Sequence, residues 1–425
     1  MREPSLLLDA LPVSLRGLLA QAAAVGAAHN AQLWMVGGII RDLMLGVPFG
    51  RDIDLAVEGD VAALADELAA ALGGRLIARH DAFGTASLQA GAHTFDLART
   101  RVEHYPRPAM LPEVAPAPIE ADLIRRDFSV NAIALALLPD NGALRAGPIF
   151  DPFDGRADLS AGRLRLLHEA SLRDDPTRLL RGLRLAARLR FTPDPASQAQ
   201  IQAALAAGYL QLLTPERILG ELCLALEEPA PNEVLALADT WGVTPQILPG
   251  LQSSAALQAR CARFRIDTEP PLDAVAHSLI WLGLLMYDLS PAERATIARR
   301  YPLPSGSADL LHQLDALQPL LPDLERSTTA SAITRLLRPF GAATIAVLHY
   351  AEPGGVGLAA AAYLRHLRHI RAPLDGNDLR RLGVAPGPAM GRLLDELRSA
   401  TLDGLIAGRS DAETWVRRRL EEPLL

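Results

Sequence analysis

The chain has 425 residues, of which 49% are hydrophobic and only 4% aromatic, and its formal net charge is -7. That length is too great for one small core and points to two to four units of about 100–200 residues each. The charge excludes a global basic field, although nucleic-acid binding depends on where charge sits rather than on its sum. Every cationic side chain is Arg and no Lys occurs, so any grip on phosphate must use guanidinium groups or backbone N–H groups. Cys223 and Cys261 lack metal-ligand spacing and read as buried thiols of a reduced cytosol. No apolar run reaches the ~20 residues that span a bilayer, and Met1–Leu8 carries no leader pattern. A soluble, cytoplasmic protein is expected.

In chain order, residues 1–30 read as one amphipathic helix with an Ala-rich end. Gln32–Val36 is a strand, Gly37-Gly38 breaks it, and Ile39–Leu45 is a helix. Ile53–Val57 is a second strand. Asp60 caps a helix through Leu72 that Gly73-Gly74 closes. Arg75–Ile77, Thr85–Leu88 and Thr94–Ala98 are further strands, and Val102–Ile119, with five prolines, is a loop. From about Ser171 onward the patterning is helical almost throughout, with a loop at Ala351–Gly357. No internal repeat is present.

Chemistry gathers in the first part. A strand, a Gly37-Gly38 turn and a helix start bring backbone N–H groups and a helix N-terminus toward a phosphate. Arg41, on the first helical turn, is placed to reach triphosphate oxygens. Asp52 and Asp54 stand at i and i+2 on one strand and so share a face. Two adjacent carboxylates are unfavourable without a cation, and Mg²⁺ takes such oxygen ligands. Asp96, on a later strand, could complete the metal face or help deprotonate an attacking hydroxyl.

The order Gly37-Gly38, Arg41-Asp42, then Asp52-x-Asp54 resembles the polymerase-β-like nucleotidyltransferases. Within them it is similar to the class II branch, the tRNA CCA-adding enzymes and bacterial poly(A) polymerases. Arg125-Arg126-Asp127-Phe128-Ser129-Val130-Asn131 resembles the family's ribose- and phosphate-contacting block, with Ser129 where Thr is commoner. Physically, Arg126 can pair with triphosphate and Asp127 or Asn131 with a ribose hydroxyl. Asp151-Pro152-Phe153-Asp154-Gly155-Arg156 resembles the connecting block. Asp174-Asp175-Pro176-Thr177-Arg178 opens a helix with Leu179, Leu180, Leu183, Ala186 and Ala187 on one face and Arg178, Arg181, Arg184 and Arg188 on another. On its own that is an amphipathic helix with a solvated Arg face. The resemblance implies that Asp175 and Arg178 read the incoming base by hydrogen bonds, with Arg181 and Arg184 beside the nucleotide. One acceptor–donor pair suits both cytosine and adenine, each of which offers an amine beside an acceptor nitrogen. Thr214-Pro215-Glu216-Arg217 resembles a fifth block, read as a structural brace.

The resemblance covers roughly residues 30–225. It implies an α+β fold, a mixed-sheet nucleotidyltransferase head followed by an elongated all-α neck, body and tail. The expected division is head 1–148, base-recognising neck 149–240, body 241–350 and tail 351–425. The tail carries an Arg-rich stretch, Arg365 to Arg381, as a candidate phosphate-binding surface. The implied activity is template-independent addition of C and/or A to the 3′ end of tRNA from CTP and ATP with Mg²⁺, releasing pyrophosphate. A-adding, CC-adding and poly(A)-adding members of the family are the alternatives, and a catalytically inactive RNA-binding protein is a further one. His277 and Tyr287-Asp288 do not make the His-Asp phosphohydrolase motif of some relatives, so that activity is not expected. Nothing in the sequence sets an oligomeric state.

Overall fold

The computed structural model describes residues 3–266 and 277–421, and Met1 and Arg2 of the expected first helix lie outside that range. The chain divides into two compact units: Met1–Leu222 with Trp241–Ile247, and Cys223–Thr240 with Leu248–Leu425.

The first unit begins with two helices rather than the expected one, α1 (Pro4–Asp9) and α2 (Val13–Ala28). Pro12 is the reason: it sits at φ -54°, ψ 143° and has no N–H to continue a helix. The strands β1 (Gln32–Val36), β2 (Asp52–Glu58) and β3 (Arg75–His80) alternate with α3 (Gly38–Leu45) and α4 (Val61–Ala71), and β4 (Thr85–Ala90) and β5 (His93–Arg99) follow β3 as an antiparallel meander. Asp60 caps α4, accepting from the N–H groups of Ala62 and Ala63, as its position in the sequence predicts.

The Pro-rich segment read as a loop contains a two-stranded antiparallel ribbon, β6 (Arg101–His104) and β7 (Glu113–Pro116), followed by α5 (Ile119–Ile124). A hairpin of β8 (Ala134–Asp140) and β9 (Ala143–Phe150) comes next. Its turn residues Asn141 and Gly142 have φ of 47° and 86°. This is the Asn-Gly type I′ geometry that matches strand twist.

The seven strands form one mixed sheet in the order β3-β4-β5-β2-β1-β8-β9. One face is fully apolar, with Leu33, Met35, Ile53, Leu55, Phe95 and Leu97 buried. Gly26 of α2 lies directly on Leu33, where a Cβ would collide. The other face holds a smaller cluster of Val36, Ala56 and Ala134 with Ile119 and Leu123 of α5. That cluster covers only part of the face and leaves the starts of β2 and β5 open.

After α6 (Gly155–Ala161), a short parallel pair, β10 (Arg163–Leu164) and β11 (Thr192–Pro193), brackets α7 (Ser171–Asp174) and α8 (Thr177–Leu189). Helices α9 (Pro195–Ala206) and α10 (Pro215–Leu226) follow. Leu179, Leu180, Leu183, Ala186 and Ala187 of α8 are all buried, as their spacing predicts.

The second unit is helical throughout its described residues. The apolar helix His277–Met286 packs on Ala342–Ala351, with Gly283 under Val347. Phe264 stands 4.9 Å from both Trp281 and Tyr350. A separate core around Leu379, Leu397, Ala412 and Val416 organises the C-terminal helices. The expected loop at Ala351–Gly357 shrinks to a few residues between the helices Ala342–Ala351 and Gly355–Arg365. Tyr287 donates to Glu352 and Asp288 pairs with Arg260, so both serve the packing. Cys261 is buried, whereas Cys223 is only half-buried, and neither is in a disulfide. No described helix is long and apolar enough to cross a membrane.

Candidate active site

The turn after β1 places Gly37 at φ 75°, ψ -138°, immediately before α3. A Cβ there would stand 3.2 Å from Asp54 Oδ2. Glycine is therefore required twice, by the backbone conformation and by the approach of the acid strand. Arg41 departs from its expected role. It is 4% exposed, its Nη1 donates to Asn131 Oδ1 at 2.7 Å, and its Nε donates to Asp42 at 2.8 Å. A guanidinium so engaged braces the turn rather than facing the cavity that Gly37 and Gly38 line.

Asp52 and Asp54 share the open face of β2, opposite buried Ile53 and Leu55. β5 runs parallel to β2 in a register that pairs Asp54 with Asp96. The third acid thus lies directly across from the second, a juxtaposition that a separation of 42 positions in the chain could not reveal. Ser87 on β4, which sequence reasoning missed, donates to Asp96 Oδ1. The next residues on the same face, Ala56 and Ala98, also line the cavity, and their small side chains leave its floor open. Surrounding protein strips water from the Asp54 carboxyl and pushes its pKa up; Arg126 pulls it down, and Asp96 and Asp52 push it up again, for a net rise. Carboxylates arranged to repel one another in this way suit a divalent cation, which removes the repulsion. Among the described residues no three His, Cys, Asp or Glu side chains close around a common point as a preformed cage would. The donor set therefore fits an ion that takes its remaining oxygens from water and phosphate.

The opposite wall is an Arg–carboxylate network centred on residues the motif does not mark. Asp122, 1% exposed, accepts from Arg125 Nε and Nη2, Arg126 Nη2 and the Arg101 N–H, all within 3.1 Å. Its spacing of three and four residues from the two arginines that follow α5 was the available signal. Glu103 takes Arg101, Arg125 and the Tyr105 hydroxyl. Asp127 accepts from the Phe128 N–H, Asn131 Nδ2 and Arg181. Burial alone would raise these three pKa values, but the facing arginines and hydrogen bonds outweigh it and hold all three below the usual carboxylate range. Asp127 is so fully occupied that Asn131 and the half-exposed Arg181 are the members of this group with capacity left. Arg126 lines the cavity, and its Nε is buried without a hydrogen-bond partner, a donor suited to a phosphate oxygen.

The expected base-reading pair closes the cavity from the junction of α7 and α8, with Asp175 at the end of α7 and Arg178 in the first turn of α8. Asp175 Oδ1 accepts from the Thr177 N–H, the Thr177 hydroxyl and Arg217 Nη2 at 3.1, 2.6 and 2.8 Å. Arg178, 4% exposed, donates to Ser171 Oγ at 2.6 Å and to the Arg125 carbonyl, with His168 Nε2 3.3 Å away. Both groups are thus held in fixed directions. Arg217, read from the sequence as part of a structural brace, also donates to the Ala109 carbonyl and lines the cavity. Arg184 differs from expectation: it pairs with Glu221 at 2.8 Å and does not line the cavity.

The cavity has a volume of about 470 Å³ and brings Gly37, Gly38, Asp54, Asp96, Arg126, Asp127, Asn131, Asp175, Arg178 and Arg181 onto its walls. Asp52 stands outside it, two residues back along β2. Residues 33–165 match the sequence profile of the poly(A) polymerase head domain. The chain is 34% identical over 396 residues to the CC-adding tRNA nucleotidyltransferase of Deinococcus radiodurans, covering 93% of this chain and 91% of that one. It is 31% identical over 410 residues to the A-adding tRNA nucleotidyltransferase of Halalkalibacterium halodurans, covering 94% and 91%. The solved structure of the Thermotoga maritima CCA-adding enzyme complexed with tRNA-CCA superposes with a TM-score of 0.76 at 26% identity, over 98% of each chain. With relatives of this identity aligned along nine-tenths of their length, on a sheet that carries the acid pair and the glycine turn, the chain belongs to the tRNA nucleotidyltransferase family built on the poly(A) polymerase head domain.

Proposed function

We propose that this enzyme adds cytidine and adenosine, one or both, to the 3′ end of tRNA from CTP and ATP. The observation that carries this reading is one cavity holding the Asp54–Asp96 pair, the Gly37 turn and Arg126 on one side and the Asp175–Arg178 pair on the other. The tRNA 3′-oxygen attacks the α-phosphorus, the bond to the pyrophosphate oxygen breaks, and pyrophosphate leaves. The family uses a divalent metal, and we take it to be Mg²⁺, held by Asp52 and Asp54. Bound there, it would lower the pKa of the attacking hydroxyl and neutralise charge on the phosphates. Asp96, with Oδ1 on Ser87, keeps Oδ2 for the cation or for the hydroxyl proton. Gly37 and Gly38 present N–H groups to the triphosphate, Arg126 pairs with it, and Asn131, oriented by Asp127, meets the ribose. Asp175 accepts from the amine of cytosine or adenine and Arg178 donates to the neighbouring ring nitrogen. Arg181 stands between phosphate and base, while Arg41 and Arg184 act through the groups they brace.

The functional division follows the sequence: head 1–148, neck 149–240, body 241–350 and a tRNA-binding tail 351–425, in a cytoplasmic setting. Relatives named for CC addition and for A addition match at similar identity, so A-only and CC-only addition are the alternatives. Incubation with Mg²⁺ and tRNAs lacking one, two or all three terminal nucleotides, with CTP and ATP supplied separately, decides between them. Extension of all three substrates is the result expected of full CCA addition. Failure to extend any of them would overturn the reading, and tailing of unstructured RNA would point to a poly(A) polymerase.

A further inference from the structure

Arg178 lines the nucleotide cavity, and the groups behind it decide which of its N–H donors point there. One of them is His168, half-buried in the segment between β10 and α7, with its carbonyl accepting from the Ser171 N–H at 3.1 Å. His168 Nε2 stands 3.3 Å from Arg178 Nη1, which also donates to the buried Ser171 Oγ at 2.6 Å. Arg178 Nη2 donates to the Arg125 carbonyl. A guanidinium is always charged and can only donate. The ring nitrogen that faces it must therefore accept, so His168 is neutral and carries its proton on Nδ1. Of the five N–H donors of an arginine, these three contacts occupy three and leave two, on Nε and Nη2, for a ligand. A serine hydroxyl and a backbone carbonyl do not titrate, so His168 is the partner whose capacity to accept changes with pH. Burial disfavours the imidazolium most, the Arg178 charge from α8 adds to that, and Asp174 of α7 opposes both; the net effect holds the ring below its ordinary pKa of 6.5.

We propose that His168 is a positioning residue that sets base specificity: as a neutral acceptor it fixes the direction in which Arg178 presents its two remaining donors, and protonation of the ring releases Arg178 and relaxes the choice of base. A second cation 3.3 Å from the guanidinium replaces attraction by repulsion, and Arg178 then keeps only Ser171 and the Arg125 carbonyl. His168 is not on the cavity wall, so it acts through Arg178 and not on the nucleotide. The proposal rests on Arg178 as the donor to the base.

The test is the ratio of kcat/KM for CTP over UTP, and for ATP over GTP, measured with the full chain and a tRNA substrate between about pH 5.5 and pH 8. Taking ratios cancels the titration of the attacking hydroxyl and of the triphosphate, which the paired nucleotides share. In wild type the ratio is expected to fall by about tenfold below about pH 6, mainly through a higher KM for the favoured nucleotide. His168→Ala should show the lowered ratio at every pH. His168→Gln, whose amide oxygen accepts without titrating, should restore the ratio and flatten its pH profile. Imidazole nitrogen NMR of the nucleotide-free protein checks the contact apart from catalysis, with the Nδ1–H tautomer expected at neutral pH. Thermal melting confirms that each variant is folded; if His168→Ala melts early, His168→Gln and the NMR titration decide. A ratio lost in Arg178→Ala but kept in folded His168→Ala, an unchanged pH profile in His168→Gln, or an Nε2–H tautomer overturns the proposal alone. An unchanged ratio in Arg178→Ala overturns the role of Arg178 itself, and the proposal with it.

Discussion

At the scale of single residues, the acids divide into those that hold the site and those that face it. Asp122 is the clearest of the first kind. With 1% exposure and contacts to Arg125 and Arg126, it supplies the counter-charge that lets two arginines stand side by side at the cavity wall. Asp122→Ala should cost about 3 kcal/mol, the magnitude of breaking a buried ion pair by removing one partner, read as a lower denaturant midpoint. Asp54 is of the second kind. Asp54→Ala and Asp52→Ala should each abolish nucleotide incorporation while leaving the melting temperature near wild type, since Asp52 is exposed and the surroundings of Asp54 disfavour its charged form rather than drawing stability from it. Normal turnover by both variants would remove the metal assignment. Arg217 works through another group, because it fixes Asp175 by a charge-assisted bond. Arg217→Ala should lower the discrimination of CTP and ATP against UTP and GTP by about tenfold, the effect of losing one such bond of roughly 1.5 kcal/mol, measured as a ratio of kcat/KM values.

At the scale of elements, the turn between β1 and α3 ties backbone conformation to chemistry. Gly37→Ala would force an L-residue into a region reserved for glycine and press its methyl on Asp54. The cost should be about 1–3 kcal/mol of stability, with a larger loss of activity than stability alone explains. Asp54 would then have to move; unchanged kcat in a folded Gly37→Ala protein would refute that coupling. The β8–β9 hairpin shows how much local signal was readable. Asn141-Gly142 is a type I′ signature in the sequence, yet the hydrophobic runs beside it did not stand out as strands, because the core of β8 is continuous Ala and Leu. The β6–β7 ribbon was hidden for the opposite reason: its prolines are turn signals, and Pro116 is tolerated only at the end of an isolated two-stranded ribbon.

At the scale of the whole molecule, acid should unfold the first unit through its Arg–carboxylate network. The pKa values of Glu103, Asp122 and Asp127 are held below their unfolded values. A depressed carboxylate contributes stability that is fully present above its unfolded pKa, near 4, and is lost as pH falls through the folded value. Denaturant midpoints should therefore fall between about pH 5 and pH 2, and fall less steeply in Glu103→Gln. Equal slopes in the two proteins would rule out this source. The amino-acid sequence by itself determined the glycine turn, the acid pair on one strand face, and the α8 stripe of Leu and Ala. Each of these is set by short-range periodicity and by the chemistry of adjacent residues. Only the tertiary structure decided that Asp96 lies opposite Asp54, that Arg41 and Arg184 are committed to Asn131 and Glu221, and that Arg217 holds Asp175. Those facts depend on strand register and on which charges find each other across 37 to 90 residues of chain, where local spacing carries no information and the need to pair buried charge selects the partner.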